Sequence, residues 1–171
     1  MSVVLADVLL KKVGGGEEKG SVALSGKLVG LFFSAGQRCP PCERFTPKLK
    51  EFYEQTKGEF EVVYVPRDDS EEEMMEYIKE HGGWYYLPYN DPEVFVLRKK
   101  YAITSIPNLI VIKASGDVIE EDGRHDVEDH GIQALARWKM RASQPQQEGE
   151  DVLAKPNELP LEGITSLKVD K

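Results

Sequence analysis

The run Leu28, Val29, Gly30, Leu31, Phe32, Phe33 is apolar at every position and is bounded by the polar residues Lys27 and Ser34. A strand with one wet face would alternate, so a short unbroken run of this kind predicts a strand buried on both faces. Both faces then need cover from other layers, which commits the chain to an α/β arrangement. Cys39 and Cys42, the only two cysteines, follow shortly after the run ends. Any chemistry they perform is therefore placed at the carboxyl end of a central strand.

Patterns on either side extend this frame. Phe45, Leu49, Phe52 and Tyr53 recur at helical spacing after the cysteines, with Pro47 inside the segment as an expected kink. Residues 61–65 read as a second strand. Ser70 and Glu73 form a capping-box pattern that opens a helix carrying Met74 and Ile78, stopped by Gly82 and Gly83. Residues 84–89 are an aromatic extended stretch. Asp91 and Pro92 start another helix with Phe95, Leu97 and Tyr101 on it. Residues 109–112, the turn Ser115, Gly116, Asp117, and Val118 with Ile119 predict a β-hairpin. Ile132, Leu135 and Trp138 mark one final helix. This order predicts a three-layer α/β/α sandwich with a mixed central sheet, in which the hairpin adds an antiparallel edge to a parallel core.

The expected division has three parts. Residues 1–20, with Gly14, Gly15 and Gly16, read as an N-terminal extension in loop form; no Gly-Lys-Ser/Thr follows the glycines, and Glu17 and Glu18 would repel phosphate. Residues 21–140 hold the domain. Residues 141–171 read as a polar, flexible tail containing Pro145, Pro156 and Pro160, with residues 159–167 able to dock locally. Residues 1–6 lack the basic start and long apolar run of a secretory signal, and no stretch is apolar enough for a membrane helix. A net charge of -8 with pI near 5.0 disfavours nucleic acid and anionic membranes as partners. These features predict a cytoplasmic or nuclear monomer.

At 171 residues the chain can bury a sufficient core without staples. A bridge across two intervening residues closes too small a loop to restrain the unfolded chain much, so the cysteine pair points to chemistry rather than to architecture. Disulfide exchange needs a thiolate nucleophile and a second thiol near enough to resolve the mixed disulfide. A helix N-terminus favours the thiolate form of Cys39, which makes it the expected nucleophile, with Cys42 one turn further in as the resolving thiol. Pro40 and Pro41 stiffen the turn where helix amides have no intrahelical partner. Arg38 and Arg44 favour a thiolate, and Glu43 opposes it. Cys39, Cys42, His125 and His130 match zinc ligand types, but the spacing is not that of a finger and the two histidines diverge on a helix. No metal is expected. Ser105, Ile106 and Pro107 form a second, weaker marker before the hairpin; an X-Pro bond is cis in only about 5–6% of cases.

Taken together, Leu24-Ser25-Gly26-Lys27, Phe33-Ser34-Ala35, Cys39-Pro40-Pro41-Cys42, Phe45-Thr46-Pro47, Leu87-Pro88-Tyr89 and Ile106-Pro107 resemble the tryparedoxin and nucleoredoxin branch of the thioredoxin superfamily, over about residues 21–139. Gly123, Arg124, Gly131 and Trp138 are similar to nucleoredoxin-like proteins. The resemblance implies a thioredoxin fold and a cis Pro107 facing the cysteine pair. It also implies Ile106 backbone groups that pair with an extended substrate segment. Arg38 stands where the family usually has tryptophan. Arg67, in Pro66-Arg67-Asp68, stands where tryparedoxins carry a second one, so trypanothione is not implied as a substrate. Phe32 and Phe33 occupy the region in which thioredoxin has a buried aspartate, which leaves Glu43 as the expected substitute for proton transfer.

The resulting expectation is a thiol-disulfide oxidoreductase that reduces protein disulfides through Cys39 and Cys42. Arg38, Pro40, Pro41, Ile106, Pro107 and Arg67 would bind substrate. It would use no cofactor beyond the redox-active Cys39–Cys42 disulfide, and it would take electrons from an upstream thiol or reductase. The alternative is a redox-sensitive binding module, with Arg38, Arg67 and the tail contacting a partner and little turnover.

Overall fold

The structure is a computed structural model that describes residues 5–36 and 38–144. Its elements in chain order are β1 (Leu9–Lys11), β2 (Glu17–Lys19), α1 (Gly20–Ala23), β3 (Leu28–Ser34), α2 (Pro40–Gln55), β4 (Phe60–Pro66), α3 (Glu71–His81), β5 (Tyr85–Tyr86), α4 (Pro92–Lys100), β6 (Asn108–Ile112), β7 (Val118–Glu120), α5 (Gly123–His130) and α6 (Gln133–Ser143). The strands make one sheet in the order β2-β1-β5-β4-β3-β6-β7. β3, β4 and β5 run parallel, β6 and β7 add the expected antiparallel edge, and β1 and β2 add a second one.

The unbroken apolar run of β3 divides between the two faces. Val29, Leu31 and Phe33 enter the core under α1 and α4, together with Val63 and Val65 of β4 and Ile110 and Ile112 of β6. Phe32 enters the core on the other face, with Phe60, Val62, Tyr64, Leu109 and Val111, under α2, α3, α5 and α6. Such division is the period-2 geometry of a strand with both faces dry. Gly30 has to be small: a Cβ there would lie 2.6 Å from Phe60 Cζ and 2.9 Å from Leu109 Cδ1.

Two expectations are corrected. Residues 1–20 are not simply a loop-like extension, because β1 and β2 pair antiparallel and Lys11 pairs with Tyr86 of β5. The turn through Gly14, Gly15 and Gly16 is loop, and Leu10 is fully buried. Three-residue strands give too little periodicity to be read from sequence. Phe95 lies on α4 as expected and is 57% exposed, while Val94 and Leu97 are the buried residues of that helix. The single final helix is two helices, α5 and α6, separated at Gly131 with φ 55°. Ile132 falls in that break and is exposed, whereas Leu135 and Trp138 are buried.

The helix ends read from sequence are in place. Ser70 Oγ accepts from Glu73 N–H at 3.1 Å, and Asp91 Oδ1 accepts from Glu93 N–H at 2.8 Å. Pro47 lies inside α2 as expected. No helix of the described residues is long and apolar enough to cross a membrane. The tail beyond residue 144, including residues 159–167, lies outside the described residues.

Truncating Leu10 tests whether the N-terminal hairpin is part of the cooperative unit. Leu10→Ala is expected to lower the unfolding free energy by about 2–5 kcal/mol in a urea titration, the range for a buried leucine. A detachable extension would show no change.

Candidate active site at the carboxyl ends of the strands

β3 and β4 run parallel in a register that sets Ser34 beside Pro66, so the segments leaving both strands emerge on the same edge of the sheet. Ligand crevices of open α/β sheets form at such carboxyl edges. From β3 the chain passes through Ala35 and Gly36 to Cys39, the N-cap of α2, with Pro40 and Pro41 as the first two helical residues. Cys39 and Cys42 are joined in a disulfide with a Cα–Cα separation of 5.1 Å. Cys39 is half-buried and Cys42 is fully buried. The sulfur of Cys39 is thus the one an incoming disulfide can reach.

The first turn of α2 is poor in donors. Proline has no N–H, and the Glu43 N–H donates to the Cys39 carbonyl at 2.9 Å. Of the first four amides, only that of Cys42 remains to face sulfur. Thr46 Oγ1, fully buried, donates to the Cys42 carbonyl at 2.8 Å and holds the turn from within. The Cys39 N–H donates to the Gly36 carbonyl at 3.2 Å.

A cleft of about 280 Å³ opens beside Cys39, walled by Ala35, Gly36, Arg38, Arg67, Asp68, Asp69, Glu73 and Ile106. It gathers four of the expected residues: Cys39, Arg38, Arg67 and Ile106. The Ile106–Pro107 peptide bond is cis, with Ile106 half-buried and Pro107 buried. Pro40 is exposed and Pro41 half-buried on α2; neither lines the cleft. His125 and His130 stand at the two ends of α5, and His125 Nδ1 lies 2.7 Å from Asp122 Oδ2.

Sequence reasoning missed Asp68. Its Oδ2 accepts from the Gly36 N–H at 2.8 Å, and its Oδ1 accepts from the Tyr64 hydroxyl at 2.8 Å. One carboxylate therefore joins the loop before the cysteines to the neighbouring strand. Burial raises the Asp68 pKa above the ordinary 3.8, against the lowering effect of those hydrogen bonds. Glu43, the substitute expected for proton transfer, is instead exposed on α2. The signal was available: a carboxylate just past an apolar strand that parallels the cysteine-bearing one. Gly36 also permits close packing, since a Cβ there would lie 2.5 Å from Tyr77 Cγ.

Arg38 crosses the cleft. Its Nη2 donates to Glu73 Oε2 at 2.9 Å, and its Nε lies 3.6 Å from Asp69 Oδ2. The residue ahead of Cys39 is thereby tied to the start of α3.

A half-exposed and a buried sulfur on a helix N-terminus, facing a cis-proline loop across the sheet edge, agree with the comparisons. The thioredoxin-like family profile matches residues 26–118. The chain belongs to the thioredoxin superfamily, in its nucleoredoxin and tryparedoxin branch. It is 46% identical to a thioredoxin from Wuchereria bancrofti, with TM-score 0.71 over 81% of this chain and 99% of that one. Tryparedoxin from Trypanosoma brucei is 36% identical, with TM-score 0.68 over 80% of this chain and 94% of that one. Human nucleoredoxin-like protein 1 is 33% identical over 135 residues, or 74% of this chain and 63% of the relative. Probable nucleoredoxin 3 of Oryza sativa subsp. japonica is 35% identical over 136 residues, or 77% of this chain. The chain spans 28% of that relative and less than two thirds of the human one.

The raised Asp68 pKa has a defined consequence for stability. At pH values between 3.8 and the raised folded value, the folded state retains a proton that the unfolded chain has lost. The Asp68 contribution to stability therefore falls as pH climbs through that window. Asp68→Asn is expected to remove this part of the pH dependence, read from urea midpoints measured between pH 4 and pH 8 and compared with the parent chain.

Proposed function

We propose that this chain is a dithiol oxidoreductase that reduces disulfides of protein substrates. The observation that carries the reading is the disulfide between half-exposed Cys39 and buried Cys42, opening onto a cleft shared with Ile106. In the reduced protein, the Cys39 thiolate attacks one sulfur of the substrate disulfide. That bond breaks, and the other substrate sulfur leaves as a thiolate and takes a proton. Cys42 loses its proton and attacks the Cys39 sulfur of the mixed disulfide. The Cys39–Cys42 bond forms, the second substrate sulfur departs, and two electrons have passed to the substrate. An upstream thiol or reductase resets the pair. No further cofactor enters.

Asp68 supports this reading as an acid–base group on the same cleft wall as Cys39. It lines the cleft, and its raised pKa lies closer to that of a thiol than an ordinary carboxylate would. The chemistry suits a reducing compartment, cytoplasmic or nuclear, and a protein acting as a monomer. A tryparedoxin relative has been solved in complex with glutathionylspermidine. Here Arg67 lines the cleft at a position where tryparedoxins carry a tryptophan, so the contacts offered to such a conjugate differ.

The reading is tested by insulin disulfide reduction with dithiothreitol as donor. Cys39→Ser is expected to abolish turnover. Cys42→Ser is expected to stop after the first exchange and leave a covalent protein-substrate adduct, visible by non-reducing electrophoresis and mass spectrometry. Asp68→Asn is expected to slow turnover by roughly 10- to 100-fold, toward the lower part of what general acid–base groups contribute. Unchanged turnover in both cysteine variants would defeat the reading. Negligible turnover in the parent chain, with partner binding that follows oxidation state, would favour the binding module.

A further inference from the structure

The cleft holds two guanidinium groups in different electrostatic states. Arg38 is matched by Glu73 at 2.9 Å and Asp69 at 3.6 Å. Arg67 is exposed on the same wall and makes no ion pair among the described residues. Its electrostatic neighbour is a second cation, Arg98 in the last turn of α4, where Lys99 and Lys100 follow. Burial and the charge of Arg67 both lower the Arg98 pKa. Arg98 also has no carboxylate partner among the described residues.

This is not for want of carboxylates. Asp and Glu number 30 against 22 Lys and Arg. The three acids of the cleft wall are directed elsewhere: Asp69 and Glu73 pair with Arg38, and Asp68, whose pKa burial raises, accepts from Tyr64 and Gly36, so none of them pairs with Arg67. Two neighbouring like charges repel, and an anion brought from outside relieves both. The planar guanidinium fork matches a carboxylate in two parallel hydrogen bonds.

We propose that Arg67, assisted by Arg98, selects protein substrates that carry an Asp or Glu side chain beside the reacting disulfide. The carboxylate seats on Arg67 while the sulfur reaches Cys39. This rests on the reductase reading and names its substrate class.

The test uses the full chain with dithiothreitol as donor. Its substrates are synthetic peptides that share one disulfide and differ only by Glu, Gln or Lys at each position flanking the attacked cysteine. At the productive position, kcat/KM is expected to be roughly 3- to 10-fold higher for Glu than for Gln, and lowest for Lys. The difference should lie in KM and shrink as salt is raised. Arg67→Gln is expected to bring the Glu/Gln ratio to about 1, Arg67→Lys to keep part of it, and Arg98→Gln to lower it less. Equal turnover of Glu and Gln peptides by the parent chain at every position would overturn the proposal, as would a ratio that survives Arg67→Gln. Turnover of the Gln peptide reads the reductase chemistry by itself. Its presence without discrimination defeats substrate selection alone, and no turnover of any peptide defeats both.

Discussion

Everything at the site depends on β3 being dry on both faces. Leu31 and Phe32 are fully buried on opposite sides of the sheet, which ties the strand to both helical layers at once. Parallel pairing with β4 and antiparallel pairing with β6 fix it further. A strand held from four sides cannot slip, because a one-residue shift would exchange its two cores. The cysteine turn leaving its end therefore starts from a fixed point. The cis-proline loop ends at an equally fixed one, since Asn108 of β6 is paired with Phe33. The cysteine turn and the cis-proline loop are brought to one cleft by sheet register.

Asp68 extends that rigidity into the loop. Its hydrogen bond to the Gly36 N–H spans 32 residues of sequence, and its bond to Tyr64 roots it in β4. Tyr64 itself packs edge-on against Phe32, with ring centroids 5.6 Å apart. The route from the doubly buried strand to the redox turn is continuous: Phe32, Tyr64, Asp68, Gly36, Cys39. One carboxylate both restrains the loop and carries a raised pKa, since partial burial produces each property.

How much of this was legible in the sequence follows from how local each signal was. The strand at Leu28–Ser34, the caps at Ser70 and Asp91, and the cysteine turn are each written within a few residues and were readable. β1 and β2 were not, because three residues carry no period and their burial depends on β5, far along the chain. The inward face of α4 was not legible, because Val94, Phe95, Val96 and Leu97 are all apolar and only the approach to the sheet decides which of them are buried. Arg38, Arg67 and Ile106 were identified singly, but their common cleft is a tertiary fact. Asp68 was visible as a carboxylate just past an apolar strand, but its role appears once Gly36 and Tyr64 are seen on its two oxygens.

Glu73 shows how a local signal can be redirected by tertiary contact. In a capping box its carboxylate would turn back to the Ser70 N–H. Here only the first half of that exchange is made, Ser70 Oγ to Glu73 N–H, and the carboxylate reaches Arg38. At 67% exposure for the Arg38 side chain, such a pair is worth only about 0.2–1 kcal/mol, so its effect on stability is small. Its effect on the cleft is larger in kind. Arg38 is held against Glu73 and Asp69, two carboxylates that would repel an acidic substrate are thereby engaged, and Arg67 is left as the guanidinium beside Cys39 without an ion-pair partner among the described residues. The charge that meets a substrate is thus set by which arginine has a partner, not by how many arginines line the wall.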